Sequence, residues 1–191
     1  MKTTIVNLLL SGLLIFSFSA HSREFNDKQF PDHVTLGGTD VQLQLNGVGM
    51  RTKFVFDVYI GALYTEKTAK TRDDVLAQNG PNRVLMHFVY DEVSAEKLVA
   101  AWNEGFEENQ TEENLKSLEG RIDSFNAMFP TVHAGDIVLL DYVPGKGTAV
   151  KINGTEKGIV EGEDFNKALL DIWLGEEPAD DGLKDAMLGG E

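Results

Sequence analysis

Cysteine is absent from this chain of 191 residues. Its absence excludes disulfide bonds, thiol catalysis, thiolate metal sites and lipid attachment to an N-terminal cysteine. Small domains exported by eukaryotic cells are often held together by disulfides. If the chain is exported, its lack of cysteine therefore favours a bacterial periplasm over a eukaryotic secretory route.

Positive charge is scarce. The chain has 17 Lys and Arg against 31 Asp and Glu, which gives a formal net charge of −14. A chain this acidic repels the phosphates of nucleic acids and the surfaces of anionic lipids. We therefore expect neither to be its partner.

Long apolar runs are also missing, with one exception near the N-terminus. Lys2 precedes an uncharged stretch, Ile5–Phe18, and small residues follow it up to Ser22. This three-part pattern predicts a secretory signal peptide over residues 1–22, because the apolar run is shorter than the ~20 residues of a membrane span. A retained N-terminal anchor is the alternative. Residues 23–191 are then one exported domain, which we expect in the periplasm and without a membrane span.

Motifs for common catalytic and cofactor chemistry are missing as well. The chain has no GxSxG and no HExxH sequence, and His33, His87 and His133 lack metal-ligand spacing. The segment Pro144–Thr148, "PGKGT", lacks the spacing of a phosphate-binding loop and lies between two predicted strands. It is predicted to be a hairpin turn. We predict neither a metal nor a cofactor.

Apolar periodicity predicts an α+β fold. Alternating apolar and polar residues predict strands before residue 92 and again after residue 135. Helical spacing predicts two helices capped by Ser94 and Thr111 and another over Asp164–Leu174, and Asp180 is predicted to precede a short C-terminal helix. Strands, a helical pair, hairpins and a helix together predict a largely antiparallel sheet with helices on one face.

The stretch Gly47–Lys67, "GVGMRTKFVFDVYIGALYTEK", reads as one long strand in which charges alternate with apolar residues. Arg51 stands out, because an arginine is rarely buried without an anion. Its planar fork suits a carboxylate or an ionised phenol, and a tyrosine hydroxyl such as that of Tyr59 can donate to the same oxygen. A surface arginine paired with one of the many acidic residues is the alternative.

The same stretch resembles the first signature of the chalcone isomerase-like proteins, a Gly-x-Gly-x-Arg turn followed by an aromatic strand. Later blocks resemble the bacterial exported branch of that family in the same order: "RVLMHFVYDEVSAEKLVAAWNEGFEEN", "GDIVLLDYVPGKGTAVKINGTEKG" and "DFNKALLDIWLGEEPADDGLKDAMLG". The resemblance covers essentially all of residues 23–191. It implies an open-faced β-sandwich in which helices pack over a curved antiparallel sheet and a ligand cleft lies between the two.

The resemblance also implies roles for individual residues. In the plant enzymes an arginine holds a developing phenolate, and in the non-catalytic relatives an arginine and a tyrosine hold a fatty-acid carboxylate. These two carry over to Arg51 and Tyr59, with Tyr64 and Tyr90 as reserve candidates for the tyrosine. The catalytic plant proteins have a threonine where this chain has Tyr59, which argues against chalcone cyclisation here.

Geometry sets a condition on that pair. Eight residues of straight strand span about 26 Å at ~3.3 Å each, so Arg51 and Tyr59 can share one carboxylate only if the chain bends between them. Four aromatic residues are expected either to line the cleft or to pack in the core: Phe54, Phe56, and Trp102 and Phe106 of the first predicted helix. Lys53 and Asp57 are left as an ordinary surface pair.

Three hypotheses remain open on the sequence. The first, which we favour, is a non-catalytic periplasmic protein that binds a fatty acid or a similar amphipathic carboxylate through Arg51 and Tyr59. The second is an isomerase or intramolecular lyase in which Arg51 stabilises an oxyanion. The third is an interaction module whose cleft is filled by its own side chains. The oligomeric state stays open in all three.

Overall fold

A computed structural model describes residues 21–190. The predicted signal peptide lies outside the described residues except for its last two, and Ser22 is already the first residue of a strand. The strands are β1 (Ser22–Phe25), β2 (Lys28–Pro31), β3 (His33–Thr35), β4 (Gln42–Lys53), β5 (Phe56–Thr65), β6 (Asn82–Phe88), β7 (Glu92–Val93), β8 (Val132–His133), β9 (Ile137–Val143), β10 (Gly147–Ile152) and β11 (Thr155–Val160). The helices are α1 (Arg72–Ala77), α2 (Ala95–Asn109), α3 (Glu112–Asn126), α4 (Glu163–Leu174) and α5 (Asp181–Met187).

Seven strands form one curved antiparallel sheet in the order β11-β10-β9-β6-β5-β4-β3. The predicted α+β class and the antiparallel sheet with helices on one face are confirmed. The side chains of Ser94, Thr111 and Asp180 accept backbone N–H bonds at the starts of α2, α3 and α5. These three caps satisfy donors that a helix start leaves unpaired.

The helices cover one face of the sheet with an aromatic core. Trp102 and Phe106 of α2 pack with aromatic residues of α3 and α4 in edge-to-face and tilted contacts. Tyr59 and Leu63 of β5 belong to the same buried cluster. The helices therefore cover the face of β5 that carries Tyr59 and Leu63.

The opposite face of the sheet has a smaller core that the sequence did not predict. Ile60 and Tyr64 of β5 lie there, together with Leu43 of β4 and Phe30 of the β1–β2 hairpin. That hairpin turns at Asn26 and Asp27, which both adopt positive φ angles, 48° and 58°. Because asparagine and aspartate tolerate this conformation better than most residues, the turn had a signal in the sequence. Helix α1, which begins with a capping box between Thr71 and Asp74, was missed as well.

The stretch Gly47–Lys67 is not one strand. Phe54 and Val55 form a tight turn between β4 and β5, so the two strands run back antiparallel. Phe54 has a φ of 61°, a region where glycine or asparagine is usual. The prediction of a continuous strand was wrong because the turn carries none of the residues that normally signal one.

Gly47 and Gly49, the glycines of the Gly-x-Gly-x-Arg motif, lie inside β4 beneath helix α5. A Cβ at Gly47 would stand 2.0 Å from the carbonyl oxygen of Ala186, and one at Gly49 would stand 2.5 Å from the Ala186 Cβ. The two glycines therefore permit the close approach of α5 to the sheet.

Candidate functional site

The β4–β5 hairpin brings Arg51 and Tyr59 together. The two residues are cross-strand partners, and the Arg51 Cζ lies 5.8 Å from the centroid of the Tyr59 ring, which is a cation–π distance. The strand register shifts next to this pair, so that Val58 has no partner in β4. The turn between β4 and β5 thus provides the bend that Arg51 and Tyr59 need in order to lie side by side.

Tyr59 is buried and holds its hydroxyl in a fixed place. Its side chain is 5% exposed, and its oxygen accepts a hydrogen bond of 2.8 Å from the Trp173 Nε1–H of α4. Burial raises the pKa of Tyr59 to about 12, although the charge of Arg51 and the hydrogen bond from Trp173 both oppose this rise. The hydroxyl is therefore neutral near pH 7 and keeps its own proton to donate.

Arg51 is half-buried, and its guanidinium makes neither a hydrogen bond nor an ion pair with any residue in 21–190. The carboxylate of Asp180 reaches this strand, but it accepts backbone N–H groups there and at α5, not the guanidinium of Arg51. One of its oxygens accepts the backbone N–H of Thr52 and the other accepts that of Leu183 at the start of α5. Because the guanidinium has five N–H donors, Arg51 has unused capacity for an anion.

A cavity of about 440 Å³ opens beside this pair, between the sheet and helix α2. This volume is within the range of ~300–1,000 Å³ typical of small-molecule sites. Its wall is mainly apolar, and includes Val58, Met86, Phe88, Leu98, Trp102 and Ile172. Its polar side chains include Arg51, Lys53, Tyr59, Tyr90, Glu92 and Lys97. The third hypothesis required a cleft filled by the protein's own side chains, whereas this region contains an open cavity.

The residues expected to line the cleft divide. Phe54, Phe56 and Trp102 lie along the cavity, whereas Phe106 is packed in the aromatic core against Phe125 and Phe165. Tyr90, one reserve candidate, also lines the cavity.

Tyr64, the other reserve candidate, is buried on the opposite face of the sheet. It lies across from Arg83 of β6 and away from the cavity.

Lys53 and Asp57 do not form a pair with each other. The Lys53 ammonium lies 3.7 Å from a carboxylate oxygen of Glu104 on α2. Asp57 accepts a hydrogen bond of 2.9 Å from the Thr52 hydroxyl. The turn at residues 54 and 55 places the two side chains in different surroundings from those of a continuous strand.

Sequence reasoning placed Trp102 at the cleft or in the core, but it missed the polar roles of the indole N–H groups of Trp102 and Trp173. Trp173 of α4 is buried in the core, and its indole N–H also positions the Tyr59 hydroxyl. Trp102 lines the cavity, and its indole N–H is buried without a hydrogen-bond partner in the described part of the chain. Nothing in the local sequence distinguishes such tryptophans from ordinary core residues.

Within residues 21–190, no group of three or more His, Cys, Asp or Glu side chains is placed to hold a metal ion. Over the same residues, no helix is both long enough and apolar enough to cross a bilayer.

A curved antiparallel sheet, helices on one face and a mainly apolar cavity between them define an open-faced β-sandwich with a small-molecule type of site. Residues 22–189 match the family model described as chalcone isomerase-like. The chain belongs to the chalcone isomerase-like family.

Among solved structures, the chain is similar to a fatty-acid binding protein of Arabidopsis thaliana. The TM-score is 0.62 at 20% sequence identity, and the match covers 82% of this chain and 95% of the plant protein. At this identity the similarity shows the fold. A comparison with curated protein sequences gives no match.

Proposed function

We propose that this protein binds a fatty acid or a similar amphipathic carboxylate in the cavity between its sheet and helix α2, without turning it over. One observation carries the proposal: Arg51, which has no carboxylate partner among the described residues, lies over the ring of Tyr59, and both residues line the wall of a mainly apolar cavity. The fatty-acid binding protein among its structural relatives supports the same class of ligand.

The two residues have complementary tasks in this proposal. The guanidinium of Arg51 offers parallel N–H donors to the two carboxylate oxygens, and Tyr59 donates its hydroxyl proton to one of them. Trp173 fixes the Tyr59 oxygen through its own N–H, so the donor direction is set before the ligand arrives. The apolar wall then takes the hydrocarbon chain out of water.

The test is a titration of the purified protein with palmitate, followed by native mass spectrometry of the complex. We expect Arg51→Ala to weaken binding by about tenfold to a hundredfold, because hydrogen bonds to a charged group contribute roughly 1.5–3 kcal/mol. Arg23→Ala removes the same charge from an exposed position outside the cavity wall, and should leave binding unchanged. Equal binding by wild type and Arg51→Ala would contradict the proposal.

The isomerase alternative is tested in the same preparations with a chalcone as substrate. Cyclisation well above background that disappears in Arg51→Ala would replace the binding function with a catalytic one. Palmitate binding without turnover supports the binding function.

We further propose that the protein acts in a bacterial periplasm after removal of residues 1–22. The uncharged segment Ile5–Phe18 and the absence of cysteine support this location. Cell fractionation with mass determination of the purified chain tests it. Recovery of the intact chain in the cytoplasm would contradict it.

A further inference from the structure

The turn between β4 and β5 exposes large apolar side chains at the rim of the cavity. Phe54, Val55 and Phe56 are 89%, 82% and 54% exposed. Tyr90, 38% exposed, extends the patch, and its ring packs edge-to-face with the Phe56 ring at a centroid distance of 5.7 Å. Among the described residues, the remaining large apolar side chain with such exposure is Ile159, on β11. The exposed apolar surface is thus concentrated at one place, which we call the hairpin tip (Phe54–Phe56).

The hairpin tip is continuous with the candidate ligand site. Phe54, Phe56 and Tyr90 are exposed to solvent and also line the cavity. A ligand that leaves the cavity at this rim therefore passes directly over the exposed aromatic rings. Exposed apolar patches of this kind mark interaction sites more often than scattered single residues do.

Three cations line the cavity beside the hairpin tip, although the chain is strongly acidic and the exposed Asp57 and Asp91 directly follow Phe56 and Tyr90. Arg51, Lys53 and Lys97 line the same cavity, against one carboxylate, that of Glu92. Lys53 is paired with Glu104 and Glu92 with His133, whereas no described residue forms an ion pair with Arg51 or Lys97. Aromatic side chains flanked by lysine and arginine suit the interface of a phospholipid bilayer, where the rings enter the acyl boundary and the cations reach phosphate groups.

We propose that the hairpin tip inserts into the surface of a phospholipid bilayer, and that the ligand passes between bilayer and cavity at this contact. The proposal rests on the proposed function and names the bilayer as the source or destination of its ligand. Whole-chain charge opposes anionic surfaces, so the matching surface is zwitterionic. The narrow turn presents few residues to a partner, which fits insertion between headgroups better than a broad protein interface.

The experiment measures transfer of a fluorescent, anthroyloxy-labelled palmitate from the purified protein to phosphatidylcholine vesicles that carry a quencher. If transfer occurs by contact, its rate rises in proportion to vesicle concentration. The double variant Phe54→Asn with Val55→Ser removes the apolar tip while asparagine tolerates the positive φ of residue 54. We expect about a tenfold slower transfer, since burial of one large apolar side chain is enough for that factor.

Ile159→Ser is the control, because it removes an apolar side chain that is also exposed, at 50%, but lies far along the sheet order from β4 and β5. It should transfer ligand as the wild type does. Each variant's thermal midpoint and palmitate affinity are measured, because Phe54 also lines the cavity. Slow transfer with both values unchanged then reflects the tip alone. A rate independent of vesicle concentration, or equal rates for wild type and tip variant, would overturn the proposal.

Two further measurements separate this proposal from the proposed function. Palmitate affinity is measured without vesicles, and flotation of the ligand-free protein with vesicles reports the bilayer contact by itself. Flotation that is lost in the tip variant, without palmitate binding, would support the contact and contradict the proposed function. If the wild type does not float with vesicles, and sedimentation shows a dimer that the tip variant does not form, the tip is a protein contact and the bilayer proposal is wrong.

Discussion

Each face of strand β5 has a tyrosine opposite an arginine of a neighbouring strand, but the two arginines differ in their partners. On the helix-covered face Tyr59 lies opposite Arg51, and on the other face Tyr64 lies opposite Arg83. Arg83 is buried and donates two hydrogen bonds to Asp141 of β9, one of them 2.8 Å long. Arg51 has no carboxylate among the described residues and lies at a cavity instead.

The difference shows what decides whether an arginine that is partly or wholly removed from water has a structural role. Where the neighbouring strand supplies a carboxylate, as Asp141 does for Arg83, the two side chains satisfy each other's charge and hydrogen bonds. Where it does not, the guanidinium keeps its donors for an external anion, because an arginine taken from water needs a partner. The predictions below test this contrast.

The largest expected effect is on stability, and it separates the two arginines. Arg83→Ala should lower the free energy of unfolding by roughly 3–5 kcal/mol, because it leaves the buried Asp141 carboxylate without its main partner. Lys151, 3.7 Å from that carboxylate, favours the lower end of this range. Arg51→Ala should cost less than about 1 kcal/mol, the scale of its cation–π contact. Urea unfolding measures both, and equal losses would remove the contrast.

The second effect concerns alkaline pH. Burial raises the pKa of Tyr59 and that of Tyr64 to about 12 each, above the ordinary value of 10. Both phenols stay protonated in the folded chain after they begin to ionise in the unfolded one. Their contribution to stability is therefore intact below pH 10 and lost as pH rises through 12, by roughly 2–3 kcal/mol per residue.

Urea unfolding at pH 7, 10 and 11 measures this loss. The variants Tyr59→Phe and Tyr64→Phe should each flatten the alkaline decline by a similar amount, since the pKa is raised similarly on both faces. An unchanged decline in either variant would show that the corresponding phenol is not shifted.

The third effect is on stability at pH 7, and it differs in direction between the two faces. Tyr59→Phe leaves the Trp173 indole N–H without its acceptor, and should cost about 1–3 kcal/mol of stability. The Tyr64 hydroxyl is buried without a hydrogen-bond partner in the described chain. Tyr64→Phe should therefore be neutral or stabilising by up to about 1 kcal/mol.

The same two variants also test the contrast between the two faces through palmitate binding. Tyr59→Phe is expected to weaken palmitate binding about twofold to tenfold, the range of a single hydrogen bond of ~0.5–1.5 kcal/mol. Tyr64→Phe is its matched control on the far face and should bind palmitate as the wild type does. Titration calorimetry measures both, and equal affinities would exclude Tyr59 from the site.

Local chemistry explains which elements were predictable. Ser94 and Thr111 begin helices because a hydroxyl can accept a backbone N–H there, and Asn153–Gly154 joins β10 to β11 because both residues accept a positive φ. Thr71 with Asp74, and Asn26 with Asp27, carried equally local signals that were overlooked. The turn at Phe54 and Val55 carried none, because an aromatic and a β-branched residue do not indicate a turn.

For the site, the sequence determined the chemistry: an arginine and a tyrosine in an aromatic segment of a chain with no cysteine and a large excess of acid. It also determined the family, through the motifs in which those residues stand. Only the tertiary structure decided that Arg51 and Tyr59 meet, because their contact depends on a reversal of the chain that no local residue announces. It likewise decided that Asp141 neutralises Arg83 and that no described carboxylate does the same for Arg51, since strand register and helix packing, set by distant residues, determine which charges end up side by side.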